Sequence, residues 1–167
     1  MSQPIAIGTY VLYGKTGVCQ VQEYKDVRIG RETCSYYVLA PVSDGRSSVY
    51  VPRDNAELVA RMRPLLTREE IHTLLAAVDA ENQPWLEDRN ARTTLYRAVM
   101  TEGDRCRLIR VIGCLYRKKH ERMELGKRLS MMDESALQEC TRLIDEEFSL
   151  VLEIPRSEVP NYILEHV

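Results

Sequence analysis

The sequence is short of nearly everything that announces an enzyme or a membrane protein. One tryptophan, one phenylalanine and three histidines occur in 167 residues. His72, His120 and His166 are scattered, and none stands at a spacing that would let it share a metal ion with another ligand. Cys19, Cys34, Cys106, Cys114 and Cys140 form an odd, dispersed set without a C-x-x-C pair, which fits reduced thiols better than a disulfide framework or a zinc site. There is no G-x-x-x-x-G-K-[ST], no G-x-G-x-x-G after a strand and no G-x-S-x-G elbow. Gly14-Lys15-Thr16-Gly17 resembles a phosphate loop only superficially, because it joins two candidate strands where such a loop must open a helix. The acidic runs Glu69-Glu70 and Asp145-Glu146-Glu147 fall in amphipathic helical patterns, where charge runs are read as solvated faces and not as an acid/base pair. No run approaches the ~20 apolar residues that cross a bilayer. Met1-Ser2-Gln3-Pro4 is not a basic start followed by an apolar stretch. These absences predict a cytoplasmic, non-enzymatic protein with no cofactor, no metal, no membrane association and no small-molecule substrate.

What the chain does have is an uneven distribution of charge. The formal net charge is −2, yet residues 1–58 carry equal numbers of basic and acidic side chains, residues 59–88 carry −3, residues 89–128 carry +8 and residues 129–167 carry −7. A basic block is flanked by acidic ones. A local basic field attracts phosphate whatever the total charge, while two oppositely charged helices that neutralise each other would produce the same pattern.

Periodicity divides the chain in two. Up to about Pro52 the pattern is of short strands punctuated by turn residues, and six of the nine tyrosines lie there. Candidate strands are Tyr10–Tyr13, Val18–Lys25, Cys34–Pro41 and Ser48–Val51, with a short fifth near Met62–Arg63. So many strands in so few residues suit a small, strongly curved antiparallel barrel. From Thr67 the period becomes helical. Thr67-Arg68-Glu69-Glu70 has capping-box spacing, followed by Ile71, Leu74, Leu75 and Val78 on one face of a helix expected to end near Ala80. After a break at Asn82-Gln83-Pro84-Trp85, a second helix carries Leu95, Tyr96 and Val99 to a stop at Gly103. A third is expected from about Asp104 to Arg122, with Arg107, Arg110, Arg117 and Lys118 opposite its apolar stripe. A fourth, capped by Ser130, packs Leu137, Cys140, Ile144 and Phe148 and is ended by Pro155; Ser157 is the expected cap of a final short helix. The predicted class is therefore α+β, a barrel over residues 1–65 followed by an all-α domain over residues 66–167.

Two side chains stand out chemically. Cys114 is expected on the basic side of its helix, where positive charge would lower the thiol pKa and make it modifiable. Trp85 follows Pro84 at a helix junction and directly precedes the basic block. A single tryptophan by itself suggests core packing, and the surrounding motifs suggest more. Gly8-Thr9-Tyr10-Val11-Leu12-Tyr13, Gly17-Val18, Tyr36-Tyr37-Val38-Leu39, Val49-Tyr50-Val51-Pro52 with Asn55-Ala56, and Met62-Arg63 resemble, in order, the N-terminal domain of bacterial CarD-like transcription regulators. Trp85, Arg89, Arg92, Gly103-Asp104, Leu115-Tyr116-Arg117-Lys118-Lys119 and Leu129-Ser130 resemble the helical domain of the same family.

The resemblance implies a Tudor-like barrel that binds the β subunit of bacterial RNA polymerase, a domain shared with transcription-repair coupling factor. It implies a helical domain that touches promoter DNA with little sequence specificity, in which Trp85 enters the minor groove at the upstream edge of the −10 region and stabilises the open complex. Such a wedge costs a few kcal/mol of unstacking. Burying an aromatic of about 150–250 Å² returns roughly 4–6 kcal/mol gross, so the wedge gains only on DNA already distorted by polymerase. The implied phosphate contacts are Arg89, Arg92, Arg107, Arg110, Arg117, Lys118 and Lys119, and the implied polymerase contacts are Arg28 and Tyr50. The protein is expected to act as a monomer, held at the nucleoid through polymerase. Leu86-Glu87-Asp88 departs from the family by placing acid between Trp85 and Arg89, and Tyr50 stands where some members carry arginine. Two other classes remain open: a protein-interaction module with Trp85 in its core, and a thiol-modified regulator acting through Cys114.

Overall fold

The computed structural model describes residues 3–78 and 83–166. The chain divides into two compact units, Met1–Leu65 and Leu66–Val167. The first is built on a five-stranded antiparallel sheet of β1 (Tyr10–Tyr13), β2 (Gly17–Ile29), β3 (Glu32–Pro41), β4 (Val49–Pro52) and β5 (Met62–Pro64), in the order β4-β3-β2-β1-β5. The α+β class is as expected. The sheet is open, with β4 and β5 at its two ends, so the closed barrel is not observed. Gly14–Thr16 form a single 3-10 turn between the paired strands β1 and β2, which is the hairpin reading of that glycine-rich segment. Gly30 takes the left-handed φ of 66° at the tip of the β2–β3 hairpin, a conformation that suits glycine because it has no Cβ. A bulge between Val21 and Glu23 shifts the register along β2. Val11, Cys19, Val21, Tyr37, Leu39, Val51 and Met62 form the core of this unit. A short helix not anticipated from the sequence, α1 (Ala56–Ala60), is capped by the Asn55 side chain.

The second unit is all helical, with α2 (Arg68–Val78), α3 (Arg89–Glu102), α4 (Arg105–Glu124), α5 (Met131–Leu152) and α6 (Val159–His166). The expected end near Ala80, and Asn82 of the expected break, lie outside the described residues. The caps follow the sequence signals. Thr67 and Glu70 bond reciprocally at 3.1 and 3.3 Å, Asp104 accepts from the Arg107 N–H, and Ser130 accepts from the Asp133 N–H. Gly103 ends α3 with a left-handed φ of 66°. At the far end the expectation is corrected. Helix α5 stops at Leu152, two residues before Ile154-Pro155, with Glu153 in the left-handed conformation, and Ser157 lies inside a 3-10 turn instead of capping α6.

A larger correction concerns the acidic run of α5. Glu146 and Glu147 are buried, not solvated. Glu147 continues the inward stripe of Cys140 and Ile144, and a buried carboxylate is tolerable only when paired. It accepts two hydrogen bonds of 2.8 Å from the Arg105 guanidinium and one of 2.9 Å from the Leu66 N–H, so it holds the approach to α2 and the first turn of α4 against α5. Asp145 is different. Burial pushes its carboxyl up to about 6, with Arg156 opposing and Glu146 reinforcing the shift.

Glu147→Ala is expected to strand the Arg105 charge and lower stability by about 3–5 kcal/mol, read from denaturant unfolding. For Asp145 the folded state keeps the proton to higher pH than the unfolded chain. Its contribution is therefore complete below the ordinary carboxylate range and lost as pH rises through about 6. Asp145→Asn should raise the melting temperature at neutral pH, with the advantage over the parent protein shrinking as pH falls through that value.

Candidate functional site

The segment between α2 and α3 carries the candidate wedge. Trp85 is half-buried and packs against the helical core, beside Leu95, Tyr96, Val111 and Leu115. It is neither a fully buried core residue nor a freely projecting one. Two cations flank the ring: the Arg92 guanidinium lies 4.4 Å from its centroid and the Lys118 Nζ 5.1 Å. The acidic departure after Trp85 has a local use, because Asp88 is the N-cap of α3 and accepts from the Ala91 N–H at 3.0 Å.

The predicted phosphate contacts do not form one uniform stripe. Arg89 and Arg117 are exposed, and Arg117 donates to the Gln83 carbonyl at 3.3 Å, just ahead of Pro84 and Trp85. Lys118 bonds Glu121 at 3.3 Å, Lys119 bonds Glu134 at 3.0 Å, and Arg107 pairs with Glu102. Each of these three pairs reaches solvent, and surface pairs of this kind are worth only about 0–1 kcal/mol, so phosphate can displace them. Arg110 is half-buried in an apolar groove with Ile109, Ile112, Ile144 and Ile163. Arg92 is the clearest departure from the expected solvent-facing stripe. Its guanidinium bonds both carboxylate oxygens of Asp133 at 3.0 and 3.2 Å and the carbonyls of Leu86 and Glu87 at 3.1 and 3.0 Å, and it is used inside the protein. The structure thus gathers Trp85, Arg92, Arg117 and Lys118, and leaves Arg107, Arg110 and Lys119 elsewhere along α4.

Sequence reasoning missed Asp133, which organises this corner. Burial alone would raise its carboxyl, but hydrogen bonds from Arg92, Ser130 and Tyr96 outweigh that penalty and hold it below the usual range. Tyr96 donates at 2.7 Å and Ser130 Oγ at 2.6 Å. Burial and the adjoining carboxylate push the Tyr96 phenol far up, so it remains a donor. For Arg92, burial opposes the charge and Asp133 more than restores it. Cys114 also corrects an expectation. It is buried, and burial pushes its thiol up despite Arg117 and Lys118, so it lacks the exposed, thiolate-favouring setting a modifiable cysteine requires.

On the sheet, the two predicted polymerase contacts separate. Tyr50 lies opposite Val38 on the neighbouring strand, and Lys25 lies opposite Tyr36, so these four share one face. Arg28 lies opposite Thr33 on the same face as Tyr37, the other side of the sheet. Tyr50 is 47% exposed on the edge strand β4, edge-to-face with Tyr36 at 6.0 Å, with the Lys25 Nζ 5.7 Å from its ring. Lys25 and Tyr36 were not assigned as contacts from the sequence, because their sharing a face with Tyr50 depends on the pairing register of β2, β3 and β4. Arg28 is exposed near the hairpin tip, its Nε donating to the Gly30 carbonyl at 3.3 Å.

No group of three or more His, Cys, Asp or Glu side chains suited to a metal ion occurs among the described residues. No described helix is long and apolar enough to cross a membrane.

The open sheet thus carries an aromatic and basic patch, Tyr36, Tyr50 and Lys25, beside its β4 edge. Residues 5–66 match the family model of the CarD-like/TRCF RID domain, which makes the N-terminal unit similar to an RNA polymerase-interacting domain. No curated protein matches the chain.

With its ring half-buried and flanked by two cations, Trp85→Ala is expected to keep the helical circular dichroism spectrum. It should lower stability by about 1–2 kcal/mol, less than a full core truncation and more than a surface change.

Proposed function

We propose that the protein is a non-enzymatic transcription regulator that joins RNA polymerase to promoter DNA. The carrying observation is the RID-domain match over residues 5–66, a domain that in its family engages the polymerase β subunit. In this reading the exposed edge of β4 pairs with a strand of that subunit, main-chain hydrogen bonds giving affinity and Tyr50, Tyr36 and Lys25 giving selectivity. The sheet is read as a Tudor-like barrel left open between β4 and β5, a reading supported by the bulge at Val21/Glu23 that bends its longest strand. The helical unit supplies the DNA side. Arg89, Arg117 and Lys118 lie on phosphates around Trp85, which meets the minor groove at the upstream edge of the −10 region and prolongs the open complex. The protein works as a monomer in the bacterial cytoplasm, at the nucleoid through polymerase.

A second reading is a protein-interaction module without DNA contact. It is favoured by the packing of Trp85 against the helical core and by the internal use of Arg92.

Two measurements on the full chain separate these readings. Tyr50→Ala should weaken binding to a polymerase β fragment by about tenfold or more, and unchanged affinity would remove the assigned face. Arg89→Glu with Arg117→Glu should abolish a promoter-DNA gel shift while leaving circular dichroism unchanged. Replacing the same pair by Gln should reduce the slope of log affinity against log salt by about 2. Retained DNA binding with an unaltered salt slope would favour the interaction module.

A further inference from the structure

We infer that Arg92 is a positioning residue for Trp85, and that with Asp133 it fixes the direction in which the indole is presented. Arg92 sits in the first turn of α3, yet its guanidinium reaches back over the segment that precedes the helix. One face of the fork is clamped by Asp133, which receives Nε at 3.0 Å and Nη2 at 3.2 Å. Nη1 donates to the carbonyls of Leu86 and Glu87, the two residues directly after Trp85. The guanidinium also lies over the indole, 4.4 Å from its centroid. One planar cation therefore holds both the backbone that carries the tryptophan and the ring itself.

The clamp is itself immobilised. Asp133 is 2% exposed, stands in the first turn of α5 and accepts from Ser130 Oγ and Tyr96 Oη, so its carboxylate has little freedom to follow a moving partner. The chain of contacts runs from the α5 cap through Asp133 to Arg92 and so to Trp85. Lys118, the second cation near the ring, differs in kind. It bonds a glutamate one turn along its own helix and makes no contact with the Trp85 backbone segment that the structure records. Arg92 is the fixed support and Lys118 a cover.

Lysine cannot replace this arginine. An ammonium is a point charge with three donors, whereas the guanidinium presents a rigid fork and a flat face that stacks on an aromatic ring. Arg92→Lys keeps the charge opposite Asp133 and loses the bridge to the Leu86 and Glu87 carbonyls. Because Trp85 is the only tryptophan, its emission reports the position of this ring alone.

The functional half of the inference rests on the reading of Trp85 as a DNA wedge, and the test separates the two. In full-length Arg92→Lys with unchanged far-ultraviolet circular dichroism, Trp85 emission should shift to the red and iodide quenching should increase. Binding to the polymerase β fragment should be unchanged, and the effect on open-complex lifetime should fall to that of Trp85→Ala. An emission spectrum and quenching identical to the parent protein would overturn the positioning role. If the emission responds but Trp85→Ala itself leaves the open complex unaltered, the positioning role stands and the wedge reading falls. Should Arg92→Lys not fold, time-resolved anisotropy of Trp85 in the parent protein decides. A ring that tumbles only with the whole molecule supports the clamp, and fast independent motion of the ring overturns it.

Discussion

A carboxylate cannot stay charged inside a protein without partners, and α5 carries three within the helical unit, Asp133, Glu146 and Glu147. That constraint decides much of the rest. Asp133 recruits Arg92 and Tyr96 from α3, Glu147 recruits Arg105 from α4 together with the backbone ahead of α2, and Glu146 pairs with Arg142 one turn back on its own helix. The opposite charges of residues 89–128 and 129–167 therefore meet partly in the interior. The basic segment is best seen as two populations, arginines spent on assembling the helices and a smaller exposed set around the tryptophan.

Much of the fold was legible because its signals are local. Apolar spacing located α2 to α5, and Thr67, Gly103, Asp104 and Ser130 marked their ends through side-chain hydrogen bonds within three residues or a left-handed turn. The tyrosine-rich strand pattern located β1 to β4, and the short fifth strand lies where it was expected near Met62–Arg63. Depth was harder to read. Arg92 precedes Leu95 and Tyr96 by three and four positions, and Glu147 follows Ile144 by three, so both stand on the inward stripe. Their charge suggested solvent, and only a partner distant in sequence reveals why they face inward. Strand faces were illegible for a similar reason. Whether Arg28 and Tyr50 share a side of the sheet depends on long-range register, which no local spacing records. The short α1 carried a readable signal in Asn55, but five residues give too little periodicity to weigh against the surrounding strand pattern.

The candidate site combines rigidity with exposure in an uncommon way. An aromatic that is to meet nucleic acid gains from being held in advance, because ordering it on contact would cost conformational entropy. Here part of the ring's surface is spent on the helical core and on Arg92, which limits the apolar area left for a partner. The two cations near the ring compensate in part by concentrating positive potential where phosphate would approach. The same arrangement explains how acidic Glu87 and Asp88 can sit beside the tryptophan: a carbonyl of one and the carboxylate of the other are engaged locally, by Arg92 and by the α3 N-terminus.

The bond between the Leu66 N–H and Glu147 also has a mechanical meaning. Any tension transmitted along the chain from residue 65 enters the helical unit at a backbone group tied directly to its longest helix. The load would be shared at once with Arg105 and α4 through the same carboxylate, instead of peeling α2 away turn by turn.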